Sequence, residues 1–157
     1  MCIRDRFNAW IMVKSLETLD LRVRAQVATA SEIAEVLEQR KDLLQVIYPG
    51  LQSHPQFDLT QVQMGAGGTV LAIDVGSKKQ AFLMMNALKI ILISNNLGDS
   101  KSIITHPETT THQRLSQDQK DLLGITPGFL RLSIGLESVK DLIFDLQSAL
   151  DVAFIGK

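Results

Sequence analysis

The sequence predicts a single α/β (or α+β) domain in which a small sheet is covered by helices, and three observations support that fold class. Segments with the period of a strand alternate with segments with the period of a helix along most of the chain. The length of 157 residues suits one domain. Apolar residues make up 45% of the chain and charged residues 21%, a balance that is typical of a globular protein with a core.

The first predicted element is a long helix over residues 10–39. Its apolar residues recur at intervals of three and four, which is the helical period. They are Met12, Leu16, Leu19, Val23, Val27, Ala30, Ile33, Ala34 and Leu37. A helix of this length extends roughly 45 Å, so we expect it to pack across something larger than a small domain. We also expect a bend or break near Ser31.

Shorter elements follow this helix. The predicted strands cover residues 44–48, 69–75, 90–94 and 129–134. The predicted helices cover residues 54–63, 77–88 and 116–124, and a final helix opens at Ser138. Three of these helices begin with the pattern of a capping box: Ser77 with Gln80, Ser116 with Gln119, and Ser138 with Asp141. The final helix has the apolar face Val139, Leu142, Ile143, Leu146, Leu150 and Phe154.

Charge and cysteine content exclude several classes of partner. The net charge is −1 and the basic residues are scattered, so we expect neither nucleic acid nor an anionic membrane as a partner. Cys2 is the only cysteine, which excludes a disulfide framework and a thiolate metal cluster. No apolar run reaches the roughly 20 residues that span a bilayer. These features together favour the cytoplasm.

Three motifs that could carry chemistry have simpler interpretations. The run at residues 65–68, Gly-Ala-Gly-Gly, lacks a Walker lysine and precedes a strand, so we interpret it as a loop and not as a phosphate cradle. His54, His106 and His112 have no compact metal-ligand spacing, so we expect loop histidines and no metal. The threonines at 109–111 lack a nucleophile elbow, which favours loop hydrogen bonding over hydrolysis.

Arg131 is the strongest candidate for a functional residue. It is a lone cation in the apolar strand at residues 129–134. A guanidinium in this setting must be paired or must face a cavity, because burying a bare charge is costly. Its planar set of donors suits a carboxylate. The alternative is an edge-strand arginine that reaches solvent or Glu137. The polar turn at residues 95–98, Asn-Asn-Leu-Gly, follows another strand end, and two such features favour a carboxylate-binding site.

Several short motifs resemble the Cys/Met-metabolism family of pyridoxal-phosphate (PLP) enzymes. The matching segments are residues 7–10 (Phe-Asn-Ala-Trp), 16–19 (Leu-Glu-Thr-Leu), 48–51 (Tyr-Pro-Gly-Leu), 53–55 (Ser-His-Pro), 96–99 (Asn-Leu-Gly-Asp), 104–107 (Ile-Thr-His-Pro), 110–112 (Thr-Thr-His) and 131–137 (Arg-Leu-Ser-Ile-Gly-Leu-Glu). The resemblance covers nearly everything after Arg6. It implies the small C-terminal domain of the aspartate-aminotransferase-like fold, a pyridoxal 5'-phosphate cofactor and an amino-acid substrate.

The resemblance also implies roles for individual residues. Arg131 matches the family arginine that binds the substrate α-carboxylate. Asn96 stands where many relatives have a serine that helps to hold that carboxylate, and the backbone at Leu97 would assist. Asn95 matches a position that helps to choose between elimination and replacement chemistry. Thr105 matches a threonine near the rim of the active site.

Within the family, the closest resemblance is to the O-succinylhomoserine sulfhydrylases, with cystathionine γ-synthases and γ-lyases as alternatives. Lys101 supports this order because the lyases carry a glutamate there. The sulfhydrylases make homocysteine from O-succinylhomoserine and sulfide. The resemblance implies a homotetrameric parent enzyme, and an isolated substrate-binding or oligomerisation domain without catalysis is the other reading.

The family's cofactor residues do not match any part of this chain. The Schiff-base lysine, the stacking tyrosine and the aspartate that pairs with the pyridinium nitrogen lie upstream of Phe7 in relatives. None of the following lysines lies in the family's lysine motif: Lys14, Lys41, Lys78, Lys79, Lys89, Lys101, Lys120 and Lys140. We therefore expect residues 7–157 to form the C-terminal substrate-binding domain without its cofactor domain. Residues 1–6 match no pattern, and we expect a non-native or frayed tail.

Overall fold

The computed structural model describes residues 6–155 and forms a mixed α/β domain. Its helices are α1 (Arg6–Glu17), α2 (Leu19–Glu38), α3 (Phe57–Gln63), α4 (Lys78–Ala87), α5 (Gln117–Leu122) and α6 (Val139–Phe154). Its strands are β1 (Gln45–Ile47), β2 (Val70–Asp74), β3 (Leu92–Ile93), β4 (Ile103–Thr105) and β5 (Phe129–Ser133). The predicted fold class is confirmed. The prediction for residues 1–6 lies outside the described residues except at Arg6, which opens α1, and it stays a prediction.

The five strands form one sheet in the order β1-β2-β5-β4-β3. Neighbours are antiparallel except β3 and β4, which are parallel. Strand β5 is central, with β2 on one side and β4 on the other. The register places Ala72, Arg131 and Thr105 in one row across these three strands. A residue row shares one face of a sheet, so Arg131 and Thr105 lie on the same face.

The opposite face of the sheet forms the core of the domain. Leu130 and Leu132 of β5 are fully buried there with Leu71 of β2 and Ile104 of β4. They belong to one apolar cluster with residues of α2, α4 and α6. The period of two along a strand puts Arg131, between the two leucines, on the other side. Helices α2, α4 and α6 therefore cover one face of the sheet, and Arg131 lies on the other.

The long first helix is broken, but not where the sequence suggested. Helix α2 runs without interruption through Ser31, so the predicted break there is wrong. The break lies at Thr18, whose φ of −108° and ψ of 8° leave the helical region. Arg22 stabilises it, because its guanidinium donates to the Ser15 carbonyl at the end of α1 at 2.7 Å.

The apolar periodicity of these two helices leads to different burial. In α2 the buried apolar residues are Ala30, Ile33, Ala34 and Leu37. In α1 no residue is buried, and Trp10 is 56% and Leu16 64% exposed. Val23, near the start of α2, is also exposed at 38%. The predicted apolar stripe is therefore covered only over its second half within the part of the chain that the structure describes.

Several predicted elements are shorter in the structure, and one strand was missed. The helix predicted at 54–63 begins at Phe57. The strand predicted at 90–94 retains only Leu92–Ile93, because the Asp145 carboxylate accepts hydrogen bonds from the amides of Lys89, Ile90 and Ile91. The sequence analysis did not predict β4, although Ile103 and Ile104 are β-branched.

The predicted capping bonds form at two of the three helices. Ser77 accepts from the Gln80 amide, and Ser116 forms a complete capping box with Gln119. Ser138 makes no side-chain capping bond, so that part of the prediction is wrong, although α6 begins directly after it. Among the described residues, no helix is long and apolar enough to cross a membrane.

Candidate carboxylate-binding site

The structure places Arg131 against the turn formed by residues 95–98, which we call the bend. The Nη2 atom of Arg131 donates to the backbone carbonyls of Asn95 at 3.1 Å and Asn96 at 3.2 Å. The two features that the sequence analysis combined are therefore in contact. The guanidinium is therefore paired, as expected, and Arg131 is partly exposed and not buried. Its guanidinium contacts the bend, and its side chain stays partly open to solvent.

Glu137, the alternative partner of Arg131, has a different role. Its Oε1 accepts from the Ser102 amide at 2.7 Å and its Oε2 accepts from the Ser102 hydroxyl at 2.8 Å. Both oxygens are thus used to hold the start of β4. The alternative that Arg131 is neutralised by Glu137 is wrong, and among the described residues no carboxylate forms an ion pair with Arg131.

Arg131 keeps hydrogen-bond donors for a ligand. A guanidinium has five N–H groups, and within residues 6–155 its Nε and Nη1 donate to no protein group. The backbone amide of Leu97, at the middle of the bend, also donates to no group in this part of the chain. The positive charge of Arg131 suits a carboxylate, because charged hydrogen bonds to a carboxylate are the stronger kind.

The other site residues from the sequence analysis lie around Arg131 with different degrees of exposure. Asn95, Asn96 and Leu97 are exposed, and the asparagines contact Arg131 through their carbonyls and not through their side chains. Thr105 is 2% exposed and pairs its hydroxyl with that of Thr110 at 3.0 Å. It lies beside Arg131 in the sheet register, and its position near the rim of the active site stays a prediction.

Ser133 and Gly135, which the sequence analysis did not single out, contact the bend and the residues that follow it. The hydroxyl of Ser133 accepts from the Gly98 amide at 3.0 Å. Gly98 has a φ of +78°, a conformation that favours glycine. A side chain at Gly135 would lie 2.5 Å from the Ser100 carbonyl oxygen, so the chain after the bend passes directly over this glycine.

The period of two along β5 is the signal that could have identified these residues. Residues 131, 133, 135 and 137 alternate with the apolar residues between them, which extends the site face of the strand past its end. Each of the four contacts the segment 95–102. Residues 131–137 therefore form one continuous edge against which the segment 95–102 packs.

The electrostatics of the bend include one fixed negative charge. The pKa of Asp99 is lowered, first because its carboxylate accepts from the Lys101 amide and then from the Ser100 hydroxyl. Asp99 is fully exposed, so water screens its charge from the neighbourhood. Its role here is to shape the turn between the bend and β4.

The motifs that were interpreted as structural have structural contacts. His106 is 1% exposed, with Nδ1 against the Thr109 hydroxyl at 2.9 Å and Nε2 against the Pro127 carbonyl at 2.9 Å. Gly67 has no space for a side chain, because a Cβ would lie 2.5 Å from the Tyr48 ring. The described residues contain no cluster of His, Cys, Asp and Glu that could hold a metal ion.

Comparison with protein families gives a match over most of the chain. Residues 2–151 match the family described as Cys/Met metabolism PLP-dependent enzyme. The chain is 46% identical over 149 residues to an O-succinylhomoserine sulfhydrylase of Mycobacterium tuberculosis, covering 92% of this chain and 37% of the relative. It is 35% identical over 146 residues to an L-methionine gamma-lyase of Treponema denticola, covering 92% of this chain and 36% of the relative.

Solved structures show the same fold in longer proteins. Cystathionine gamma synthase from Xanthomonas oryzae, in complex with aminoacrylate and cysteine, superposes with a TM-score of 0.88 at 34% identity, covering 94% of this chain and 38% of that one. A Campylobacter jejuni protein assigned as an O-acetylhomoserine (thiol)-lyase, which contains a pyridoxyl-lysine monophosphate, has a TM-score of 0.88 at 36% identity, covering 92% and 35%. The chain spans a little over a third of the length of these relatives.

The described residues of the site fit a substrate carboxylate. Within residues 6–155, Arg131 has guanidinium donors and Leu97 a backbone amide that donate to no protein group. Such donors suit an anion. Gly67, in the loop at 65–68, has no space for a side chain beside Tyr48.

Proposed function

The chain belongs to the Cys/Met metabolism family of PLP-dependent enzymes, and from this premise we propose that it is the carboxylate-binding part of an O-succinylhomoserine sulfhydrylase. Such an enzyme makes homocysteine from O-succinylhomoserine and sulfide. The relatives that support this choice are the sulfhydrylases of Mycobacterium tuberculosis and Pseudomonas aeruginosa, at 46% and 41% identity. We propose the cytoplasm as its location and a homotetramer as the form of the parent enzyme.

The observation that carries the proposal is the contact between Arg131 and the bend. The carbonyls of Asn95 and Asn96 hold one nitrogen of the guanidinium. The remaining nitrogens of Arg131 and the Leu97 amide then receive the α-carboxylate of an amino acid. A ligand held in this way has one end fixed, and fixed orientation of a substrate can contribute several kcal/mol to catalysis.

The residues of this chain orient the substrate, and the cofactor supplies the electron sink. PLP, when bound, stabilises negative charge on the substrate carbon beside its nitrogen. Arg131 binds the carboxylate attached to that carbon, and the Leu97 amide contributes a second donor. Asn95 and Asn96 keep the guanidinium in place through their carbonyls, and the Asn95 side chain, which is exposed, is proposed to influence the choice between elimination and replacement.

The proposal is tested in a chimera, with this chain replacing the matching part of the Mycobacterium tuberculosis sulfhydrylase. The assay measures homocysteine formed from O-succinylhomoserine and sulfide. Changing Arg131 to Ala removes charged hydrogen bonds that contribute about 1.5–3 kcal/mol, so we expect KM to rise roughly 10- to 100-fold. Arg24→Ala is the matched control, because Arg24 is a highly exposed arginine paired with Asp20 on α2. Unchanged KM in the Arg131 variant would contradict the role.

The same chimera separates the sulfhydrylase from its alternatives. A γ-lyase fragment would favour elimination from methionine, and a cystathionine γ-synthase fragment would favour cysteine over sulfide as the second substrate. Product analysis with methionine alone, with sulfide and with cysteine measures the three rates. We expect the rate with O-succinylhomoserine and sulfide to be the largest. A chimera that binds the cofactor but makes no homocysteine would reject the sulfhydrylase assignment.

We also propose that the isolated chain is a non-catalytic substrate-binding and packing domain. The observation that favours this second function is helix α1, which buries no residue and exposes Phe7, Trp10 and Leu16 at 56–64%. Exposed apolar surface of this kind marks an interaction site. Titrating the isolated chain with PLP and recording absorbance tests it, and a Schiff-base band that a lysine substitution removes would overturn it.

A further inference from the structure

We propose that Gln26 is a positioning residue that holds the bend in register with Arg131. This inference rests on the proposed function, because it assigns the bend to substrate binding. Gln26 lies in α2, far along the chain from both segments that it joins. It is 5% exposed, on the helix face that otherwise buries Ala30 and Ile33.

The amide of Gln26 links two segments that meet at the site. Its Nε2 donates to the Asp99 carbonyl at 2.7 Å and to the Ile134 carbonyl at 2.9 Å. Asp99 immediately follows the bend, and Ile134 lies three residues beyond Arg131 on the same chain segment. This one nitrogen therefore joins the end of the bend to the end of strand β5. The bend carries the carbonyls that accept from Arg131, and β5 carries Arg131 itself.

Few side chains could make this link. A primary amide presents two N–H groups on one nitrogen, so it can donate to two carbonyls at once. A glutamate at this position would place acceptor oxygens against two further acceptors. An apolar side chain of the same length would leave both carbonyls without the Gln26 donor, at a buried place where an unpaired polar group is costly.

The link also connects the site to the long helix. Helix α2 packs on the core through its second half, so its position is set by the domain and not by the exposed bend. Gln26 transfers that position to the bend, and residues 95–100 are all exposed. The Ser133 hydroxyl fixes the bend from the strand side through Gly98. With Gln26 removed, the bend keeps that bond but loses its anchor to the helix.

The test compares the unmodified 157-residue chain with two variants. Gln26→Met keeps the length of the side chain and removes both donors. Gln63→Met is the matched control, because Gln63 is an exposed glutamine near the end of α3. Hydrogen exchange is measured at the amides of Gly98 and Leu136, which bond to Ser133 and Ser100, and at Leu71 in the core strand β2.

We expect exchange at Gly98 and Leu136 to become at least tenfold faster in Gln26→Met, with Leu71 unchanged. Gln63→Met should match the unmodified chain. Unchanged exchange at Gly98 and Leu136 in Gln26→Met would overturn the inference. Equal acceleration at Leu71 would also overturn it, because the residue would then act on the whole fold and not on the bend.

A second measurement separates this inference from the proposed function. The chains are titrated with O-succinyl-L-homoserine while the NMR signals of the Leu97 amide and the Arg131 Nε–H are followed. We expect binding to weaken at least fivefold in Gln26→Met and to stay unchanged in Gln63→Met. Equal affinity in all forms would overturn the positioning role. If the unmodified chain shows no shift at either signal, the carboxylate site itself fails, and the exchange data alone then decide whether Gln26 anchors the bend.

Discussion

The two faces of strand β5 are held in place by different interactions. On the core face, Leu130 and Leu132 are fully buried and pack against other apolar side chains. On the site face, Arg131 and Ser133 hold a polar loop through directed hydrogen bonds. One strand can therefore stabilise the fold on one side and position a loop on the other, because successive side chains point to opposite faces.

Deleting a core side chain should have the largest effect on stability. Leu132→Ala removes buried methyl groups and leaves a cavity, so the free energy of unfolding should fall by about 2–5 kcal/mol. Urea denaturation followed by circular dichroism measures it. Leu136→Ala, at a leucine that is 41% exposed just beyond β5, should cost far less. A similar loss at both positions would contradict the assignment of the core face.

Replacing Glu137 should have the next largest effect. Glu137→Gln substitutes an amide for a carboxylate that accepts both the amide and the hydroxyl of Ser102. Hydrogen bonds to a charged group contribute about 1.5–3 kcal/mol, so a loss in this range is expected in urea denaturation. Glu32→Gln, at an exposed glutamate of α2, should change stability by less than about 0.5 kcal/mol. If Glu137→Gln changes the free energy of unfolding as little as Glu32→Gln does, the hydrogen bonds of Glu137 to Ser102 do not stabilise the fold by the expected amount.

The hydroxyl of Ser133 should contribute less than the Glu137 carboxylate, because it makes a neutral hydrogen bond. Ser133→Ala removes the acceptor of the Gly98 amide, and a neutral bond contributes about 1 kcal/mol. The fold should remain intact while the signal of the Gly98 amide shifts in the NMR spectrum. Ser148→Ala, at an exposed serine of α6, serves as the control and should leave that signal in place.

The smallest effect concerns a hydroxyl inside the apolar cluster, and it depends on pH. Burial raises the pKa of Tyr48, and the charge of Glu35 raises it further. Because the pKa is raised in the folded state, this contribution to stability is complete below the ordinary pKa of about 10 and is lost as pH rises through the folded-state pKa. Tyr48 also donates to the Gly68 carbonyl at 3.0 Å, so Tyr48→Phe should cost below about 1 kcal/mol at pH 8.

The Tyr48 prediction can be measured on a single group. Tyr48 is the only tyrosine of the chain, so absorbance of the tyrosinate follows its titration alone. We expect the midpoint to lie above that of the urea-unfolded chain. We also expect Tyr48→Phe to lose less stability than the unmodified chain between pH 8 and 11. Coinciding midpoints in the folded and unfolded chain would show that the hydroxyl is not buried.

The fold was predictable where local pattern decides structure. The caps at Ser77 and Ser116 form because a serine and a glutamine three residues apart can bond within one helix turn. Strand β3 was overestimated because Asp145, more than fifty residues away, captures the amides before it. Strand β4 was missed because three residues are too few for a period to show.

The sequence predicted Arg131 as the cation of the site, but it did not predict the residues that hold the bend in place. Arg131 is visible in the sequence because a charge interrupts an apolar strand. Gln26 has no such signal, since a glutamine in a helix is ordinarily a solvent-facing residue with good helix propensity. Its role depends on two carbonyls that lie 73 and 108 positions further along the chain.

The sequence by itself determined most of the helices and strands, though not β4, and it determined which residues share a face and that a lone arginine needs an anion or an acceptor. These properties depend on the period of side chains along one element and on the cost of burying a charge. The tertiary structure decided what covers each face: helices over Leu130 and Leu132, and the bend over Arg131. The physical reason is that periodicity orients a side chain, whereas its partner comes from a distant segment whose position depends on the packing of the whole domain.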